Sequence, residues 1–421
     1  MDKFIIEGGV PLTGEVNISG SKNAALPILC SSILADNTCT YTNIPVLRDI
    51  STITEVLATL GMVIECPDNG CIVIDPRKLG SYEAPYDLVK SMRASILVLG
   101  PLLAKYKKAK VSLPGGCAIG VRPIDMHLKA LTKMGADINL SHGYVMAFTE
   151  GLKGTRIVFD TPTVGGTENI MMAASLAEGT TVIEGAAKEP EVVDLAHALM
   201  AMGAQIDGAG QSTITIDGTT SLSGLEYSII PDRIEVGTFL IACGITRGDL
   251  VLKGARADHV VAVIEKLLEM GIAITHRDDG SLQVNGKQEF RPIHVDTVPY
   301  PGFPTDMQAQ IMALACVTPG TSSITENIFE NRFMHVPELV RLGGRLEEKG
   351  HTVIVQGVDQ FQGASVMATD LRASASLVLA ALNARGMTEI RRIYHLDRGY
   401  ENLDEKLVSL GARVQRVRGG L

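Results

Sequence analysis

The sequence predicts an α/β fold of two inside-out lobes, each made of three repeats of about 70 residues in which buried helices are surrounded by sheets. Three observations carry that prediction: a short phrase that recurs six times, a set of helices apolar on nearly every face, and more short strands than one central sheet can use. The phrase is Leu60-Gly61-Met62, Met134-Gly135-Ala136, Met202-Gly203-Ala204, Met270-Gly271-Ile272, Leu342-Gly343-Gly344 and Leu410-Gly411-Ala412, with glycines separated by 74, 68, 68, 72 and 68 residues.

Each phrase closes an amphipathic helix. In 258–270 the apolar positions are 260, 264, 267 and 268, the glycine supplies a left-handed cap, and an alternating strand follows. The second helix of the unit has no polar face: 169–177, 236–245, 307–317 and 373–382 read as buried all round. These helices stop near Asn37, Gly179, Gly248, Gly320 and Gly386 and run directly into strands. A unit is therefore a buried helix, a strand, an amphipathic helix, a hairpin, and a strand leading into the next buried helix, so three-stranded sheets are expected. Segment 12–18 resembles 222–230 and 361–367, which precede later buried helices, and the last unit ends without such a strand. The N-terminal strand is thus expected to complete the C-terminal lobe, giving lobes of 22–229 and of 1–21 with 230–421.

Composition narrows function by exclusion. With 46% hydrophobic and 20% charged residues the 421-residue chain can bury a large core and is neither disordered nor collagen-like. A net charge of −9, nine Tyr, nine Phe and no Trp argue against a nucleic-acid surface. No apolar run approaches the roughly 20 residues of a membrane span, and Met1-Asp2-Lys3-Phe4 does not open a secretory leader, so a cytoplasmic protein without membrane association is expected. Seven Cys without paired C-x-x-C spacing signal neither disulfides nor zinc, and six of them read as buried or inert thiols. No metal or cofactor is expected: both G-x-x-x-x-G-K-[ST] and G-x-G-x-x-G are missing, which leaves ATP and NAD chemistry unsupported.

What remains is the polarity of the helix starts. Cations stand at Lys22, Arg48, Arg93, Arg122, Arg233, Arg332, Arg372 and Arg398. A cation in a first turn is opposed by the helix dipole, whereas an anion is attracted there. Any one arginine can instead tie neighbouring units to an Asp or Glu; the set of Lys22, Arg93, Arg122, Arg372 and Arg398 points to anionic substrates bound between the lobes. In Pro114-Gly115-Gly116-Cys117-Ala118-Ile119-Gly120-Val121-Arg122-Pro123, a thiol near an arginine and a helix start is either activated or a buried inert Cys. Asp306, behind Phe303-Pro304-Thr305, is either a helix cap or a base for a substrate hydroxyl.

Together, Ser19-Gly20-Ser21-Lys22-Asn23-Ala24-Ala25-Leu26-Pro27, the Cys117 loop with Arg122-Pro123, Phe303-Pro304-Thr305-Asp306-Met307-Gln308, Phe329-Glu330-Asn331-Arg332-Phe333 and His395-Leu396-Asp397-Arg398-Gly399-Tyr400 resemble the UDP-N-acetylglucosamine branch of the enolpyruvyl transferase family. The resemblance covers essentially the whole chain. It implies two inside-out lobes and transfer of the enolpyruvyl group of phosphoenolpyruvate to the 3-hydroxyl of UDP-N-acetylglucosamine, through a tetrahedral intermediate, with release of phosphate. It further implies that Lys22, Arg122 and Arg398 hold phosphoenolpyruvate, with Asn23, Arg93 and Arg372 in the substrate set. Cys117 would be the proton donor, the site of a covalent adduct and the residue alkylated by fosfomycin, and Asp306 the base. Arg122, Pro123, Ile124, Asp125 and Met126, then Thr163, Val164, Gly165 and Gly166, and Ile328 match stretches that contact the nucleotide sugar. Asp49 and Asp397 are weaker candidates, as support for the cations or the intermediate. The alternatives are the related 5-enolpyruvylshikimate-3-phosphate synthases, against which Lys22-Asn23 and the Cys117 loop speak, and a catalytically silent sugar-nucleotide-binding paralogue.

Overall fold

A computed structural model describes residues 2–90, 92–113 and 124–419. The described residues divide into two compact units, one of 2–19 with 231–419 and one of 20–230. Each has its own apolar core. Among the described residues the strands form six sheets of four, three per unit. The expected three strands are joined by the lead-in strand of a neighbouring repeat, which pairs parallel to the strand that follows the buried helix.

In the 20–230 unit, helices Lys22–Ser31, Leu99–Tyr106 and Val164–Ala174 pack on one another, the second entered through a 3₁₀ turn at Arg93–Val98. The sheet Glu226–Ser228, Cys39–Thr42, Ile72–Asp75, Val63–Glu65 shows the common order: parallel edge strand, central strand, and the two arms of an antiparallel hairpin. Alternation in these strands puts one face on the helices, as in Ile72 and Ile74, and leaves the other to solvent.

In the other unit, Arg233–Ile245, Gln308–Cys316 and Leu371–Asn383 form the helical centre. Strand Thr13–Asn17 pairs parallel with Asp249–Lys253. Strand Lys3–Glu7 lies between Met387–Arg391 and Arg413–Val417, antiparallel to both, with Phe4 and Ile6 buried. The hairpin position that the last repeat lacks is thus filled by the first strand of the chain.

All six phrase glycines adopt positive φ, between 92° and 110°, as a left-handed cap requires. Other details depart from the sequence reading. Gly248 is not a left-handed cap; Arg247 takes that conformation, and a Cβ at Gly248 would lie 2.2 Å from the Leu12 carbonyl oxygen. Asn37 does not take a positive φ, and its helix has already ended at Ser31. In 258–270 the helix proper is Val261–Met270, whose buried side chains are Val263, Ile264, Leu267 and Met270, while Leu268 is exposed. The helices expected to open at Arg332 and Asp397 begin at Val336 and Leu403. Cys30, Cys39, Cys243 and Cys316 are buried, but Cys66 is exposed and Cys71 half-buried. No helix of the described residues is long and apolar enough to cross a membrane.

The caps differ in cost. A Cβ at Gly271 would sit 2.7 Å from the Glu289 carbonyl oxygen, whereas one at Gly203 meets nothing within 4 Å. Gly203→Ala should destabilise by about 1 kcal/mol from the left-handed backbone alone. Gly271→Ala adds a backbone collision and should cost at least twice as much, read from urea midpoints at constant slope.

Candidate active site

In the 20–230 unit, Lys22 is the first residue of its helix and is buried with Asp49, Nζ to Oδ2 3.2 Å. Asp49 stands in the first turn of Arg48–Thr59, so each charge of the pair lies at a helix start. Asn23 follows, half-buried, and the Arg93 turn packs against the same helix. Thr163 caps Val164–Ala174, its Oγ1 accepting from the Gly166 N–H at 3.3 Å. A Cβ at Gly166 would fall 2.4 Å from Thr163 Cγ2, so glycine is required there, and a glycine-rich helix start of this kind suits a phosphate. Ile124 and Met126 pack partly buried on the core, and Asp125 pairs with Lys129.

One polar group here escaped the sequence reading. Asn169 Oδ1 accepts from the Gly100 N–H at 2.7 Å, so its Nδ2 donates to the Ile96 carbonyl at 3.2 Å and to His127 Nδ1 at 3.0 Å. The imidazole is therefore neutral with its proton on Nε2, on the side of Gly165. Burial, reinforced by Arg93, pulls His127 down to about 4.

In the other unit the centre is Asp306, in the short turn Thr305–Met307 that enters Gln308–Cys316. It caps nothing. Its Oδ1 accepts from Arg332 Nη2 at 2.7 Å and its Oδ2 from Arg372 Nε at 3.2 Å, with Arg372 Nη2 at 3.1 Å. Burial works to raise its pKa, but Arg372 and Arg332, with Arg233 behind them, outweigh it and hold the carboxyl well below the usual range. The side chains of Arg332 and Arg372 are 6% and 4% exposed against 28% for Asp306, so the carboxylate is the reachable end of the cluster. Arg372 is oriented from below, its guanidinium 5.5 Å over the Tyr400 ring, with Tyr400 Oη bonded to Thr238 and Gln310. Asp370 caps the Arg372 helix through two backbone N–H groups.

Arg398 ends the turn Ile393–Arg398, half-buried and packed beside the Arg372 helix. Asp397 faces elsewhere, in a two-pronged pair with Arg416 at 2.9 and 2.7 Å that ties the last strand. Ile328 is half-buried, its N–H bonded to Glu326. Cys117, Arg122 and Pro123 lie outside the described residues. Arg332 stands in the sequence as a cation within the Phe329–Phe333 motif; its partnership with Asp306 joins positions 26 residues apart and leaves no mark in the local pattern.

Comparison with known proteins places this arrangement. Residues 6–407 match the family model described as EPSP synthase (3-phosphoshikimate 1-carboxyvinyltransferase). The chain belongs to this enolpyruvyl transferase family. It is 58% identical over 416 residues to a UDP-N-acetylglucosamine 1-carboxyvinyltransferase of Nitratidesulfovibrio vulgaris, covering 99% of each chain, and 57% identical over 419 residues to one of Geobacter metallireducens, covering 99% of this chain and 100% of the other. Among solved structures, the enolpyruvyl transferase NikO of Streptomyces tendae superposes with a TM-score of 0.90 at 26% identity, covering 100% of this chain and 99% of that one. An EPSP synthase of Acinetobacter baumannii, at 19% identity and TM-score 0.79 over 99% and 100% of the two chains, shares the fold.

Neutral His127 makes the stability of this enolpyruvyl transferase depend on pH. Its folded value of about 4 lies below the ordinary 6.5, so the unfolded chain binds the extra proton and stability falls as pH drops from about 6.5 towards 4. That contribution is about 3 kcal/mol at most. His127→Gln should flatten this part of the stability profile, measured by urea unfolding at pH 7 and pH 4.5.

Proposed function

We propose that this enzyme transfers the enolpyruvyl group of phosphoenolpyruvate to the 3-hydroxyl of UDP-N-acetylglucosamine, releasing phosphate, as the first committed step of peptidoglycan precursor synthesis in the cytoplasm. The observation that carries the reading is full-length likeness, at 58% identity, to relatives bearing that activity in their names. Asp306 supports it chemically, as a reachable carboxylate kept ionised by two buried arginines.

In this mechanism Cys117 gives a proton to the methylene carbon of phosphoenolpyruvate, leaving an oxocarbenium-like carbon at C2. The sugar 3-oxygen attacks C2 and its proton passes to Asp306, giving a tetrahedral ketal. Return of a proton from the new methyl group to the Cys117 thiolate and cleavage of the C2–O bond, the phosphate leaving with the proton held by Asp306, then yield the enolpyruvyl ether. A carboxylate held at low pKa is a weak base, but a hydroxyl bonding to a cationic carbon becomes strongly acidic, so a weak, well-placed acceptor suffices. Lys22, Asn23, Arg93, Arg122 and Arg398 stabilise the phosphate and carboxylate, where charge changes during the reaction. The glycine-rich helix start at Thr163–Gly166, Arg122–Met126 and Ile328 bind the sugar nucleotide, and Arg372 belongs to the substrate set through Asp306.

Phosphate release should require both phosphoenolpyruvate and UDP-N-acetylglucosamine, and Asp306→Asn should lower kcat by about 10²–10⁴. No release with this pair from folded protein, or release with shikimate 3-phosphate in place of the sugar nucleotide, overturns the assignment. Fosfomycin should stop turnover and add its mass to the Cys117 peptide, and Cys117→Ser should abolish labelling. An adduct on Cys66, the exposed thiol among the described residues, would remove Cys117 from the mechanism.

A further inference from the structure

Glu326 follows strand Thr321–Thr325, and at 1% exposure its carboxylate is one of the most deeply buried charges of its unit. Its carboxylate contacts reach Thr305, Thr297 and the backbone of 328–329. Oε2 accepts from Thr305 Oγ1 at 2.8 Å. Oε1 accepts from Thr297 Oγ1 at 2.9 Å and from the backbone N–H groups of Ile328 at 2.9 Å and Phe329 at 3.2 Å. Thr305 Oγ1, its proton committed to Glu326, turns a lone pair to Arg332 Nη1 at 2.6 Å, while Nη2 of the same guanidinium holds Asp306 at 2.7 Å. The Phe329 ring lies 5.1 Å from that guanidinium.

The repeat shows that this position is built differently from its equivalents. The residues that follow the corresponding strands are Asn43, Leu113, Gly185, Gly254 and Arg392, and four of them turn the chain with φ between 55° and 73°. Position 326 does not adopt that turn. The backbone here is instead directed by a carboxylate that accepts four hydrogen bonds, two of them from the next segment of chain.

We propose that Glu326 is a positioning residue for the reaction, a buried anion that fixes the Asp306–Arg332 pair through Thr305 and the sugar-contacting Ile328 segment through its backbone. The inference rests on the proposed roles of Asp306 and Ile328. One carboxylate then sets the distance between the acceptor sugar and the group that takes its proton, so its loss should be felt with the sugar nucleotide and not with phosphoenolpyruvate.

The test is steady-state kinetics with each substrate varied on four variants of the full chain, with urea midpoints confirming that each is folded. Glu326→Gln keeps the shape but cannot accept on both arms. It should raise KM for UDP-N-acetylglucosamine about tenfold and lower kcat about tenfold, leaving KM for phosphoenolpyruvate within about twofold. Thr305→Val cuts only the arm to Arg332, and should lower kcat with both KM values nearly unchanged; Thr305→Ser, which keeps the hydroxyl, should restore it. In the double variant of Glu326→Gln with Thr305→Val, kcat should fall no further than in the poorer single variant, because both interrupt one chain of contacts. Equal changes in the two KM values, no change in any parameter, or additive losses in kcat would overturn the proposal. Asp306→Asn serves as the separate control: if it retains full kcat, the reading of Asp306 fails whatever Glu326 does.

Discussion

A helix packed on every side can offer chemistry only at its ends, and this constraint governs where the functional groups of both units lie. The helices Lys22–Ser31 and Val164–Ala174 in one unit, and Gln308–Cys316 and Leu371–Asn383 in the other, are buried along nearly their whole length. Lys22, Thr163–Gly166, Asp306 and Arg372 all stand within a turn of a helix start. Backbone N–H groups point outward there and the helix dipole favours anions, so the surface that stays reachable is also the one suited to phosphates and carboxylates. Net charge says nothing of this: the chain carries −9 overall while its helix starts are cationic.

Buried cations need support, and those at helix starts must also offset the dipole. Lys22 finds it in Asp49, and Arg332 and Arg372 share Asp306. The last arrangement serves two ends. Two guanidiniums buried to within a few per cent of their surface are tolerable because a carboxylate lies within hydrogen-bond reach of both. The carboxylate in turn is ionised at any working pH and held in one orientation, so in the proposed reaction it would act as an acceptor through placement more than through basicity. Glu326 extends the same logic one layer outward, where a buried anion is satisfied by hydroxyl and backbone donors and orders the cluster in return.

The repeat was legible because its signals are local: a glycine that must be left-handed, an apolar helix, an alternating strand. Lys22 with Asn23, the Thr163–Gly166 turn and Asp306 could be named because each belongs to a short phrase at a helix start. Glu326, His127 and Asn169 were not named, and Arg332 was named without its partner, because an isolated arginine, glutamate or histidine in sequence looks the same whether it faces solvent or a partner. Asp397 shows the converse, standing beside Arg398 in the chain yet turned to Arg416.

By itself the sequence determined the period, the six glycine caps of the amphipathic helices, the division of helices into buried and amphipathic, and the charged starts at Lys22 and Arg372, since each follows from backbone conformation and apolar spacing within about a dozen residues. Only the tertiary structure decided that Lys3–Glu7 fills the last sheet, which carboxylate each cation meets, and that position 326 directs its chain through a buried charge. The contacts that settle these points join residues far apart in sequence. Lys3–Glu7 beside Arg413–Val417 is the largest such separation between paired strands, and Arg372 on Asp306, 66 residues away, is the one on which the proposed chemistry depends.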